Sequence, residues 1–149
     1  MRYRKIKPQY MTEDELREIW RTEYCLQPIF TLDDVEVRFY EDMFDHAFFE
    51  SRNRETKDKS ILSYNRLEKI YWIKEALQDP DAIHKQGWDS TNKCYFVDRR
   101  LAIVKGNYVV IIRFTKKMKA KFVTAYEKDD ISNILASPDF VKTDDFFDL

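Results

Sequence analysis

Glycine is almost missing from this chain, and its scarcity excludes more than any residue that is present. Only Gly87 and Gly106 occur among 149 residues. A P-loop or a dinucleotide fingerprint needs several glycines at fixed offsets, so that backbone can approach phosphate. A nucleotide-dependent enzyme is therefore not expected, and no cofactor is predicted. Cysteine is equally scarce. Cys25 and Cys94 have neither the close spacing nor the histidine-rich surroundings of a zinc site. They read as reduced, buried thiols of a cytosolic protein. Long apolar runs are absent too: the longest, Tyr108–Ile112, is far too short to span a bilayer. The basic N-terminus has no apolar stretch after it and does not read as a signal peptide. The expectation is a cytoplasmic protein without membrane contact. Clustered carboxylates with a following acid-x-Lys triplet are also lacking, so no metal site is predicted.

What is present is a single domain's worth of chain, able to bury roughly two-thirds of its unfolded surface. Its net charge of −1 hides an asymmetry. From Arg99 to Lys121 there are eight basic residues (Arg99, Arg100, Lys105, Arg113, Lys116, Lys117, Lys119, Lys121) and no acid. From Glu127 to Leu149 there are seven acids against Lys128 and Lys142. A basic stripe within strands is the footprint of a polyanion site. The plainer alternative is an edge that uses lysine to block aggregation.

Helical periods come first along the chain. Thr12 and Glu15 form a capping-box pattern, opening a helix to about Thr22 with Leu16, Ile19, Trp20 and Tyr24 on its apolar side. Val35, Val37 and Phe39 alternate as in a short strand. Phe44, Ala47 and Phe48 share one side of a helical segment that also carries His46. Residues 51–62 form a charged surface connection. Residues 64–83 read as the organising helix, with Leu67, Ile70, Ile73, Ala76 and Leu77 in one stripe and a stop at Asp79-Pro80. Residues 84–93 are turn-rich. The period then changes to that of strands: CYFV, LAIV, YVVIIRF and KFVTAY, with KGNY as a hairpin turn. Asp129 or Asp130 caps a last short helix before an acidic tail. As a further expectation, that tail covers the basic stripe.

Several residues could carry chemistry. His46 is offset from its helix's apolar face, with Asp42 one turn earlier to orient the ring; it is either a general acid/base or an ordinary helical histidine. Arg66 lies beside an apolar stripe, where it either presents a fixed charge to a cleft or simply snorkels. A period of two puts Phe122, Thr124 and Tyr126 on one strand face, where the hydroxyls suit phosphate, although threonine and tyrosine are ordinary strand residues. Arg113 shares a face with Val109 and Ile111.

The order of these elements (FDHAFFES, Arg66 with YWIKEALQDPDAI, Tyr95, then VTAY) resembles the phage barnase–EndoU–colicin–RelE-like nucleases over about residues 35–128. The resemblance implies an α+β fold, with N-terminal helices packed on a four-stranded antiparallel sheet; the N-terminal helix and acidic tail would be extensions of one domain, 1–149. It implies metal-independent RNA cleavage of a phage- or toxin-like kind, by attack of the ribose 2′-hydroxyl to leave a cyclic phosphate. His46 would act as acid or base, Arg66 would hold the phosphate, and Thr124 and Tyr126 would supply hydroxyls. Tyr95 would stack on a base, with Arg99, Arg100, Arg113, Lys116 and Lys117 as further RNA contacts. RNA is the expected partner, and an immunity or antitoxin protein is admitted as a second. The alternatives are a non-catalytic RNA- or nucleoprotein-binding module, and a phage-associated interaction domain.

Overall fold

A computed structural model describes residues 3–50, 61–89, 93–95 and 99–140. Residues 51–60 of the charged connection (whose last two residues, Ile61–Leu62, form a strand), residues 90–92 and 96–98 with the end of the CYFV run, and the tail from 141 lie outside the described residues, and with them the expectations attached to those stretches.

The N-terminal helix forms as its capping box dictates. Helix α1 (Glu13–Trp20) opens with Thr12 accepting from Glu15 N, while Glu15 accepts from Thr12 N. It runs on into a π turn, Arg21–Cys25, which carries Tyr24 into the core. Strands β1 (Ile29–Phe30) and β2 (Glu36–Arg38) follow, then α2 (Met43–Phe48). Strands β3 (Phe49–Glu50) and β4 (Ile61–Leu62) pair with each other. Next come α3 (Tyr64–Leu67), α4 (Trp72–Leu77), β5 (Ile83–Gln86), β6 (Trp88–Asp89) and β7 (Cys94–Tyr95). The chain continues through β8 (Arg100–Lys105), β9 (Tyr108–Lys116), β10 (Lys119–Glu127) and α5 (Ser132–Leu135).

The fold class is α+β, but the main sheet has six strands where four were expected. Its order is β1-β2-β10-β9-β8-β5. All pairs are antiparallel except β2 with β10, which run parallel. Three of the six, β1, β2 and β5, lie outside the four expected runs, and Cys94–Tyr95 of the expected CYFV strand pair instead with β6 in a separate hairpin. β5 falls in the segment read as turn-rich, because Lys85 and Gln86 look like loop residues; it is held by four register pairs to β8. β2 is only three residues long, and nothing local says that it joins the sheet beside the last strand. The KGNY turn forms as read: Lys105 pairs with Tyr108, and Gly106 takes the positive φ of 58°.

The stretch 64–83 is not one helix. Between α3 and α4 the backbone tightens, with Lys69 N donating to Arg66 O and Ile70 N to Leu67 O. The cause is Tyr24. Its hydroxyl donates to Ile70 O at 2.5 Å and accepts from Lys74 N at 3.1 Å. In a continuous helix those two groups would bond to each other, so the phenol is inserted into the ladder. The apolar stripe survives the break, since Leu67, Ile70, Ile73, Ala76 and Leu77 are all buried.

The core lies between α1–α4 and one face of the sheet. Trp20 is its centre, with ring centroids 4.9 to 5.6 Å from Tyr24, Phe39, Phe48 and Phe122. Such aromatic pairs add about 0.5–1.5 kcal/mol each beyond area burial. The N-terminal segment straps over α4: Tyr3 donates to Asp79 Oδ2 at 2.7 Å, and Trp72 Nε1 donates to Arg4 O. Lys105 Nζ lies 3.2 Å from the same carboxylate. Among the described residues no helix is long and apolar enough to cross a membrane.

Two stability predictions follow from these bonds. Tyr24→Phe leaves a buried carbonyl and an amide without their bridge and should cost about 1–3 kcal/mol, read as a lower urea midpoint at unchanged m-value. The Tyr3 hydroxyl is the main cause holding the Asp79 carboxyl below its ordinary pKa, with the Asp81 amide and Lys105 assisting. A depressed folded-state pKa stabilises the fold above the unfolded value of about 3.9 and ceases to do so as pH falls through the folded value. Tyr3→Phe should therefore lower the denaturation midpoint at pH 7, and its difference from wild type should shrink below about pH 4.

Candidate nucleic-acid interface

Strand alternation assigns each side of the sheet. Leu101, Ile103, Val110, Ile112, Phe114, Ala120 and Phe122 point into the helical layer. Their neighbours face the other way. On that outer face Ala102, Val104 and Val109 form a second apolar cluster, with Ile111, Tyr126, Ile131 and Ile134 packed against it. Ile131 and Ile134 come from α5 and the residue before it, so α5 covers part of the outer face. The cap position of α5 is Ile131, which makes no side-chain capping bond, so neither Asp129 nor Asp130 caps the helix as expected; Asp130 stands one residue earlier and accepts from Ser132 N at 2.9 Å.

A β-bulge corrects the reading of the last strand. Phe122 pairs with Ile112 and Thr124 with Ile111, so Val123 is the extra residue. One inserted residue reverses the alternation. Phe122 is therefore in the core, while Thr124 and Tyr126 lie on the outer face, not with Phe122 as a strict period of two requires.

The rest of the outer face is basic, and the register sets the arrangement. Arg100 stands opposite Arg113. Arg113 stands opposite Lys121. Lys121 stands opposite Arg38. Directly registered residues share a face, so four cations lie abreast across β8, β9, β10 and β2, spanning about 14 Å at the usual strand spacing. Among the described residues Glu36 lies beside the row, 3.5 Å from Arg38 and 3.7 Å from Lys119. Lys116 pairs with Lys119 across the next bulge. Lys117 is exposed at the following turn, and Arg99 is exposed with a positive φ of 64° just before β8.

Two cavities adjoin the row. At the Arg100 end, a pocket of about 330 Å³ lies beneath α5, lined by Arg100, Thr124, Tyr126, Gln86, Ile134 and Ser137 over a floor of Ala102 and Ile111. At the Lys121 end, a shallow depression of about 530 Å³ is lined by Tyr40, Asp42, Met43, His46 and Lys121. Of the residues singled out in the sequence, the fold brings Thr124, Tyr126 and Arg100 to one cavity and His46 with Asp42 to the other. His46 is exposed, on the side of α2 away from Phe44 and Phe48.

Arg66 is half-buried on α3, whose first turn is capped by Ser63. Its Nη1 donates to Ala47 O at 3.3 Å, tying α3 to the end of α2. It is also close enough to Tyr126 to act on its ionisation. Burial pushes the Tyr126 phenol above its ordinary pKa, and the Arg66 charge pulls it back. The hydroxyl is therefore a neutral donor at pH 7. Tyr95 pairs through its backbone with Trp88 in the β6–β7 hairpin, outside the main sheet. Its side chain lies outside what the structure describes.

Cys25 is half-buried rather than buried, and burial first, then Glu41, pushes its thiol up to about 11. Lys121 and Arg38 are the members of the row that the sequence reading did not single out as candidates. Lys121 was visible in the basic stripe, but Arg38 lies far off in sequence and joins only through the β2–β10 register. Among the described residues no group of three or more His, Cys, Asp and Glu is placed to hold a metal ion.

No family model matches the chain, and neither curated proteins nor solved structures give a match.

Gly87 fixes the rim of the pocket. Its N donates to Arg100 O at 2.9 Å, and a Cβ there would fall 2.5 Å from Arg100 Cβ. Gly87→Ala must shift β8 or the loop after β5. It should cost about 1–3 kcal/mol as an overpacking change, measurable by thermal unfolding, while Gly106→Ala, with open space around it, should act through its positive φ alone.

Proposed function

We infer that the protein binds single-stranded RNA across the outer face of its sheet. The observation that carries this reading is the row Arg38–Lys121–Arg113–Arg100, four cations in direct register on adjacent strands. Like charges directly opposite each other destabilise a sheet. A surface selected for stability alone would alternate signs along such a row. Kept abreast, the cations form a track for a phosphate backbone, and the exposed Tyr40 and the pocket beside Thr124 and Tyr126 flank it with groups able to meet bases.

Metal-independent cleavage to a cyclic phosphate is a second reading, and one observation favours it. Lys121 belongs both to the row and to the depression that contains His46. A backbone following the row would pass the imidazole, which can take or give a proton beside a cation that steadies phosphorane charge. Thr124 and Tyr126 line the cavity at the opposite end of the row, so in this reading they hold the strand and His46 carries the proton transfer. The likeness to the phage barnase–EndoU–colicin–RelE-like nucleases belongs to this second reading, as does an immunity or antitoxin partner.

The test is anisotropy binding of a labelled RNA dodecamer across salt. With four phosphates neutralised on a single strand, log K should fall with log[salt] at a slope near −3, about 50-fold between 50 and 200 mM. Arg113→Ala and Lys121→Ala should each flatten the slope by about 0.7. Salt-independent binding, or unchanged slopes in both variants, would overturn the sheet-face reading. Incubation of the same RNA in excess EDTA separates the two readings: cyclic-phosphate ends made by wild type and lost in His46→Ala support cleavage, and intact RNA leaves binding alone.

A further inference from the structure

We propose that the pocket beneath α5 is a nucleobase subsite that gives the RNA track its sequence preference. This rests on the sheet-face reading and deepens it. The pocket differs in kind from the row it adjoins. Its apolar lining is Ala102 and Ile111 from the sheet and Ile134 from α5. These apolar side chains give a planar ring a surface to pack against in the slot.

The polar groups sit around the edges of the slot. Thr124 and Tyr126 project from β10, and Ser137 lies on the chain after α5. Ser137 Oγ donates to Asn133 O and keeps its lone pairs for an incoming donor. The Thr124 and Tyr126 hydroxyls make no hydrogen bond among the described residues. Each can donate or accept. Edges offering both donors and acceptors to a flat ring are what reading a base requires.

Arg100 joins the slot to the track. It lines the pocket and stands abreast of Arg113 on the next strand. A ligand that fills the slot and also meets Arg100 is flat at one end and anionic at the other, which is the chemistry of a nucleotide. The cavity, about 330 Å³, is within the size range of small-ligand pockets. The bulge at Val123 is what builds the site, since without it Thr124 would turn into the core. Gly87 contributes by letting β5 and β8 close at the rim.

The experiment uses the full chain in two assays: anisotropy with labelled rA, rC, rG and rU octamers, and calorimetry with the four nucleoside 5′-monophosphates and inorganic phosphate. One base should be preferred by about tenfold or more, as a site built to hydrogen-bond an edge discriminates, and its monophosphate should bind better than phosphate. Thr124→Val, close to isosteric on its strand, should reduce the preference to about threefold or less and leave the salt slope unchanged. Ser137→Phe, which fills the slot from its exposed rim, should do the same and abolish mononucleotide binding. Equal affinity for all four octamers, with phosphate binding as well as any monophosphate, would overturn the subsite while salt-dependent binding upheld the track. Selective mononucleotide binding without salt-dependent octamer binding would support the subsite and remove the track. No binding of any probe would overturn both.

Discussion

One phenol decides how the helical layer is arranged. The Tyr24 hydroxyl stands between Ile70 O and Lys74 N, in the place of the bond that would have continued a single helix. Both backbone groups are in or beside the core, where an unpaired polar group costs more than a hydrogen bond usually contributes. The break is therefore tolerable only because the phenol serves both. It frees α3 to turn toward α2, where Ser63 caps its first turn and Arg66 reaches the carbonyl of Ala47. It leaves α4 to pack against β8 and β9, and the N-terminal strap to close over Trp72 and Asp79.

The sheet beneath is asymmetric in a way that a helix-packed sheet need not be. One face is apolar and buried through its centre. The other is divided, with α5 covering an apolar part and the rest presenting cations. The division depends on one residue of irregularity: the bulge at Val123 turns Thr124 and Tyr126 outward while leaving Phe122 in the core beside Trp20. Bulges bend a strand and increase its twist, and this one also lets a single strand serve core, track and pocket within nine residues.

Much of the helical part was legible locally. A capping box, an apolar stripe and a Gly-Asn hairpin are short-range signals, and each forms where the residues place it. The failures share a cause. The helix over 64–83 was broken by a residue forty-six positions earlier. The face of Thr124 was changed by a bulge that leaves no mark in the run KFVTAY. β5 was hidden because Lys85 and Gln86 at a sheet edge resemble loop residues, although Lys85 is held there by Asp139.

The site divides along the same line. The sequence by itself determined the materials: eight cations from Arg99 to Lys121 without an acid, a strand rich in hydroxyls, and a histidine offset from its helix's apolar face. Composition and period are local properties, so they can be read without a fold. Only the tertiary structure decided that Arg38 completes a row with Lys121, Arg113 and Arg100, that α5 roofs a pocket at one end, and that His46 lies at the other. Register, bulges and parallel pairing are set by contacts between distant segments, because a strand's face has meaning only against the neighbour with which it pairs.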